Sequence, residues 1–463
     1  MGKVYLGNQQ LGTNVGKLYY GNVEIIGSGG GDTDDKFEVT VLDYDGTILD
    51  QVKLDDGATY TLPAAPTHTG LTFIDWSCSE TITNNTITIN GNDVMIGANY
   101  TTTSGVSEFD IEVTATSLSI YGYAFNGDTF NWGDGTSDTA SSNGYITHTY
   151  AQAGEYTITY NGVKIYGYGS NSATYQYYGF LSGNNNGSRT KINLKRVRLS
   201  NIVTSFSSGY AFNTSDTLQY IMLSTNITQI PDGLFGNNDS FAMTHLIVPN
   251  SITQISNSYG LIMRGIRYVV IPKKAMNIYS SSFNSNALKK IVIPASNIKF
   301  YSSQNISSSF LIEKIILNNI WVNSTSFLGS CYNLKKAIIK NSTFSSEPTQ
   351  MFSQCFSLKE VQLINNTGNL GSSAFDNCIS LEKIKMPKTQ TYYYDSFFKN
   401  CVSLIEYDFT EYESVPTLSS TGVFLNINPN CKMYVPDSLY NDWKAASNWS
   451  AFANYIYKAS ERV

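Results

Sequence analysis

The sequence predicts a mainly β protein: two small N-terminal β domains, then a repeat solenoid that a short C-terminal helix closes. Three observations predict it. A Leu-x-x-Ile-x-Leu pattern recurs at Leu194-Val197-Leu199, Leu218-Ile221-Leu223, Met243-Leu246-Val248, Ile266-Val269-Ile271, Leu288-Ile291-Ile293, Ile312-Ile315-Leu317, Leu334-Ala337-Ile339, Leu358-Val361-Leu363, Leu381-Ile384-Met386 and Leu404-Tyr407-Phe409. Successive copies start 22 to 25 residues apart. Charged residues make up only 14% of the 463, while Tyr (33) and Phe (23) are abundant, a composition for strands and turns rather than for long surface helices. Upstream of the repeats, short runs alternate apolar and polar residues between Gly, Pro and Asp-Gly turns, as half-buried strands do.

Taken in order, residues 1–27 contain a duplication: Lys3-Val-Tyr-Leu-Gly7-Asn8 is echoed by Lys17-Leu-Tyr-Tyr-Gly21-Asn22. Each unit reads as a small strand ending in a Gly-Asn turn. The pair is too short to fold alone and is expected to act as a clip that adds strands to a partner. It resembles the K-x-Y-x-G segments at the N-termini of adsorption and appendage proteins of tailed bacteriophages. Residues 28–35, rich in Gly and Asp, read as a flexible linker.

Residues 36–103 alternate Phe37, Val39 and Val41 with Glu38 and Thr40. Gly57, Pro63, Pro66, Gly70, Phe73, Trp76 and Ala98-Asn99-Tyr100 resemble the Listeria–Bacteroides repeat, which implies a β-grasp-like module. In residues 104–165, Asn131-Trp132-Gly133-Asp134-Gly135-Thr136, His148-Thr149-Tyr150, Gly154 and Tyr156-Thr157-Ile158 resemble the PKD domain, which implies an immunoglobulin-like sandwich. Both modules are expected to be spacers.

Residues 166–430 hold the repeats. One short apolar strand per period of this length is the signature of a leucine-rich-repeat solenoid. No copy can bury its apolar face alone, so the copies stack around a shared core. Phe352-Ser-Gln-Cys355-Phe-Ser-Leu358 and Phe375-Asp-Asn-Cys378-Ile-Ser-Leu381 resemble the BspA type of these repeats, a family of surface proteins. The earliest copies lack the Phe and Cys anchors. Residues 431–463 read as a terminal strand and capping helix, with Leu439, Trp443 and Phe452 apolar at helical separation and Asp437 or Ser438 as the cap.

The net charge of −6 hides a split. Residues 1–165 hold 5 Lys/Arg against 20 Asp/Glu, whereas residues 166–463 hold 25 against 16. That asymmetry fits a repeat half that meets an anionic partner, or ordinary solvation of two kinds of surface. No run approaches the length of a membrane span, and no signal-peptide pattern opens the chain. Cys331, Cys355, Cys378 and Cys401 each precede the repeat Leu by three residues, and their spacing is the repeat period rather than a zinc pattern. Buried free thiols are favoured over disulfides.

Little enzymatic chemistry is legible. Asp43-Tyr-Asp45-Gly46-Thr47 resembles the nucleophile loop of haloacid-dehalogenase-type phosphatases, but the strand before it reads as half-exposed and Asp-Gly favours a hairpin turn. A turn is expected. His68, His148 and His245 lie in separate segments without metal-ligand spacing. Asp128, Asp134 and Asp138 are a candidate calcium set, though acidic loops are ordinarily just solvated. No cofactor or metal is assigned.

If repeat positions i, i+3 and i+5 point inward, i+1, i+2 and i+4 point out. Lys289, Lys290, Lys314, Lys335, Lys336, Lys359, Lys383 and Lys385 then form a basic strip, with solubility lysines as the alternative reading. Tyr175, Tyr177 and Tyr178, and Tyr392, Tyr393 and Tyr394, are the candidate aromatic binding residues, with core packing as theirs. The combination predicts a non-enzymatic phage appendage: residues 1–27 dock on other virion proteins and the repeats bind a host envelope glycan or surface protein. It is expected to be a homo-oligomer on the virion, binding no nucleic acid and inserting in no membrane. A bacterial cell-surface adhesin is the alternative.

Overall fold

A computed structural model describes residues 36–166 and 306–462 throughout. Between them it describes all but 167, 172–175, 179, 186–187, 191, 207–210, 213–216, 232, 236–241, 256–264, 276, 279–286, 295–297 and 302–305. Before residue 36 it describes two local hairpins. Val4–Leu6 pairs antiparallel with Gln9–Leu11, and Leu18–Tyr20 with Val23–Ile26, so each half of the duplication makes one hairpin.

The chain divides into two compact units, one of them residues 35–299. Within it, residues 36–103 form a four-stranded sheet in the order Ile48–Leu54, Phe37–Leu42, Val94–Thr102, Leu71–Cys78. The central pair is parallel and the outer pairs are antiparallel. Asp43 to Gly46 is the hairpin turn between the first two strands, closed by the Gly46 amide on the Asp43 carbonyl at 3.0 Å. Gly46 has φ +89, a conformation that costs a side chain dearly. The phosphatase-like loop is therefore a β-turn.

Residues 107–190 form a sandwich. One sheet runs Ser137–Thr139, Thr129–Asn131, Gly154–Tyr160, Ser107–Val113; the other runs Gly144–Tyr150, Leu118–Ala124, Leu181–Asn185, Ser188–Thr190. Trp132 is fully buried, stacked on His148 at 4.9 Å, and its carbonyl accepts from the Tyr150 hydroxyl at 2.8 Å. The sandwich runs past the expected boundary at 165, because Leu181–Asn185 completes its second sheet beside Leu118–Ala124.

The first repeat strand, Asn193–Arg198, is the next strand of the sandwich's first sheet: it pairs antiparallel with Ser107–Val113 and parallel with Tyr220–Met222. An open solenoid end exposes both core and strand edge, and here the sandwich closes both. Arg198 fixes the junction, reaching Glu108 and Asp110 at 2.8 Å each. Burial pushes the Asp110 carboxyl up, but its bonds to Arg198 and Thr157 hold it below its ordinary value of 3.8.

In residues 300–463 the main strands make one parallel sheet: Lys314–Asn318, Lys336–Lys340, Glu360–Ile364, Lys383–Lys385, Glu406–Asp408, Lys432–Val435, Ile456–Lys458. The inward assignment holds: Leu381 and Met386 are 0% exposed and Ile384 is 2%. All six cysteines are free and buried. The thiols of Cys355, Cys378 and Cys401 donate to the carbonyls of Leu328, Phe352 and Phe375 in the preceding copy, at 3.1 to 3.2 Å. The slot thus needs a small apolar side chain that also donates, which is why Cys recurs there.

The cap differs in detail from expectation. Its helix is only Tyr440–Ala445, and Asp437 does not cap it but holds Ser460, Oγ to Oδ2 at 2.6 Å. Trp443 and Trp449 are fully buried over the last copy, and Ile456–Lys458 adds a final parallel strand that the helical reading missed.

Candidate binding surface

Parallel, in-register strands place equivalent outward residues in rows about 4.8 Å apart. In residues 300–463 one row reads Lys314, Lys336, Glu360, Lys383, Glu406, Lys432, each directly beside the next. Opposite charges on neighbouring strands pair: Lys336 with Glu360 at 3.0 Å and Lys383 with Glu406 at 3.3 Å. Lys335 pairs with Glu313 at 3.1 Å, Lys385 with Glu411 at 2.6 Å, and Arg462 with Asp408 at 2.6 Å. Lys359 is exposed and makes no ion pair among the described residues. The expected basic strip is therefore a mixed-charge ladder. Apart from the pair on buried Asp408, these pairs are at the surface and add little stability, ~0–1 kcal/mol each, but they cancel much of the field an anionic ligand would feel.

The same face in residues 35–299 is occupied. From the second copy on, the i+4 row there is Met222, Ile247, Val270 and Val292, all buried, with Arg198 of the first copy beside Met222. Ile247, Val270 and Val292 form one apolar cluster with Leu42 and Met95 from the domain at 36–103. Gly97 has no side chain where one is excluded: a Cβ there would lie 2.7 Å from Ile247 Cγ1. Polar bonds surround the cluster. Ser77 Oγ donates to the Val248 carbonyl at 2.7 Å, Asn250 Nδ2 to Asp75 at 2.9 Å, and Lys273 pairs with Glu80 at 2.7 Å. His245 Nε2 donates to the Tyr44 carbonyl at 2.9 Å, and burial holds that imidazole below its ordinary value.

This corrects two expectations. The module at 36–103 is not a spacer that extends reach but a cover on the chain's own repeat strands. Lys290 is not free for a ligand: it pairs with Glu38, and with Asp93 at 3.4 Å. Burial raises the Glu38 carboxyl, and the Lys290 bond and charge outweigh it, leaving the group below its ordinary value. Lys289 beside it is exposed and lies 6.0 Å from the Tyr268 ring. Sequence reasoning missed the cover, although part of the signal was present: the nominally outward i+4 residues Met222, Ile247, Val270 and Val292 are apolar, as Ile316 and Ile338 of the next two copies also are.

The tyrosines separate from the lysines. Tyr392, on a different, two-stranded sheet of Tyr392–Tyr393 and Thr417–Leu418, and Tyr394 just after it are half-buried, their rings 4.5 Å apart. Tyr393 is a correction: it is 0% exposed, and its hydroxyl meets that of Tyr412 at 2.8 Å in the core. Tyr175 lies outside the described residues, as do the side chains of Tyr177 and Tyr178, whose backbone forms the strand Gln176–Tyr178.

The three candidate calcium carboxylates serve separate partners. Asp128 accepts from the Tyr160 hydroxyl, Asp134 meets His148 at 2.8 Å, and Asp138 accepts from Trp132 Nε1 at 2.7 Å. No cluster of His, Cys, Asp and Glu able to hold a metal occurs among the described residues.

Comparison with known proteins agrees with the repeat and sandwich geometry. Residues 189–312, 288–405 and 320–438 match the BspA type leucine rich repeat region, in 6 copies, and residues 97–175 match the PKD domain. No catalytic family is among these matches. No curated protein matches the chain. Among solved structures, a leucine-rich repeat protein from Bacteroides ovatus is 18% identical with a TM-score of 0.44; the match covers 57% of this chain and 66% of that one. One from Eubacterium ventriosum is 20% identical, TM-score 0.33, covering 46% and 58%. A leucine rich cell surface protein from Faecalibacterium prausnitzii is 17% identical, TM-score 0.29, covering 72% and 97%. This chain thus spans just under two thirds of the first of these proteins and less of the second.

Proposed function

We propose that this chain, which belongs to the BspA type leucine-rich-repeat family through residues 189–438, is a non-enzymatic recognition protein of a phage virion. Residues 1–27 anchor it to other virion proteins, and the repeats in residues 300–463 meet a glycan or protein of the host envelope. The observation that carries this reading is the contrast between the two stretches of strand face. In residues 35–299 the face is filled by the chain's own domain, while Lys383 and Lys385 keep side-chain exposures of 65% and 55%. A face built from rigid strands and left accessible is suited to recognition. The paired hairpins before residue 27, set off by a Gly-rich linker, support the anchoring role.

Immunogold labelling with antibody against residues 300–463 tests the assignment. Gold on purified virions supports it. Gold on uninfected bacterial cells and none on virions would instead make the chain a cell-surface adhesin. Deleting residues 1–27 is expected to leave melting of the remainder unchanged and to abolish incorporation into particles.

A further inference from the structure

We propose that Tyr392 and Tyr394, with Glu347 and Asp395, form a platform for an uncharged sugar unit of a glycan; this rests on the reading of the chain as a surface-recognition protein. Tyr393 turns into the core, while Tyr392 beside it on the strand and Tyr394 just after the strand stay half-buried. The two rings meet at 44° with centroids 4.5 Å apart, an angled aromatic ledge that stays half-exposed. Its neighbours on the paired strand, Thr417 and Ser419, are small and exposed.

One acceptor, Glu347, is bonded to a ring hydroxyl, and another, Asp395, follows Tyr394 directly in the chain. The Tyr394 hydroxyl donates to Glu347, and burial together with that carboxylate pushes it up to about 12, so it remains a neutral donor. The exposed Asp395 accepts from Ser420 Oγ at 2.6 Å and from Ser396 Oγ at 3.0 Å, and these two bonds hold it ionised below its ordinary value. A sugar presents an apolar C–H face and a rim of hydroxyl donors. Flat rings take the first and carboxylates with spare lone pairs take the second. Two carboxylates repel an anionic sugar, which separates this platform from the lysine-bearing strand face.

Affinity electrophoresis of the full chain through gels holding dextran, mannan, a mixed-linkage β-glucan or polygalacturonate tests the proposal. The parent is expected to be retarded by at least one neutral polymer. Tyr392→Ala/Tyr394→Ala should weaken that retardation about tenfold or more. Tyr392→Phe/Tyr394→Phe, which keeps the rings, should stay within about threefold. Circular dichroism of the Ala pair should match the parent, since neither ring is in the core. Retardation by polygalacturonate alone, by no polymer, or undiminished in the Ala pair would overturn the platform. If the parent still binds host cells in those cases, the surface-recognition reading stands and only the sugar site falls; if it binds no cells, that reading falls as well.

Discussion

Ile247 occupies the strand position that faces solvent in an open repeat, yet only 6% of it is exposed. Its side chain lies among Leu42, Met95, Val270 and Val292, with Gly97 against it. Replacing it with alanine removes buried methyl and methylene groups from a well-packed site, which costs about 2–5 kcal/mol. The equivalent position in a later copy is Lys385, whose side chain is 55% exposed; Lys385→Ala should change stability by no more than about 0.5 kcal/mol. Gly97 supplies an internal check. Gly97→Ala crowds Ile247 in the parent but finds room once residue 247 is alanine, so the two changes should couple by about 0.5–3 kcal/mol. Denaturant unfolding of the four proteins, followed by tryptophan fluorescence and hydrogen exchange over residues 37–102, gives the comparison. An Ile247→Ala loss below about 0.5 kcal/mol, or additive Gly97 and Ile247 effects, would refute the cover.

Leu381→Asp should cost several kcal/mol by placing a charge in the shared core, and limited proteolysis should show the damage spreading to neighbouring copies. Cys355 and Cys378 are fully enclosed, and burial pushes their thiols well above 9.0. A thiol reagent at pH 8 should therefore label none of the repeat cysteines in the folded chain and all of them in urea. Arg198→Met should cost about 1.5–3 kcal/mol at neutral pH by removing the charge-assisted bonds of Asp110 to Arg198, while Arg196 at 2.7 Å keeps that carboxylate paired. Because the folded Asp110 carboxyl lies below 3.8, its stabilisation is complete above that pH and is lost as pH falls below it. The parent should lose that increment in acid and the Arg198→Met protein should not.

The repeat core was readable because its signal is repeated: Leu, Ile and Leu at fixed offsets point inward in every described copy, and Cys331, Cys355, Cys378 and Cys401 sit in the same slot. The sandwich was readable from Trp132, His148 and Tyr150, which stack and hydrogen-bond to one another. Long-range packing was not. Alternation predicts which residues leave a strand's core side, but not whether another segment waits there, and Glu38 and Lys290 are 252 residues apart. Charge counting failed for a related reason. The surplus of lysines in the repeats was real, but the in-register strands set Glu360 and Glu406 beside Lys336 and Lys383. Tyr393 was misplaced because three consecutive tyrosines look alike in sequence, while a strand sends the middle one inward.

Residue-by-residue amine acetylation, in the free chain and on host cells, tests the central claim most directly. In the free chain Lys383 and Lys385, with exposures of 65% and 55%, should react fast; Lys290, 15% exposed and paired to Glu38 and Asp93, should react slowly. On cells, Lys383 and Lys385 should become protected while Lys290 stays as it was. Free-chain reactivity of Lys290 equal to that of Lys385, or no protection of Lys383 and Lys385 on bound cells, would contradict a strand face closed in the early repeats and open for recognition in the late ones.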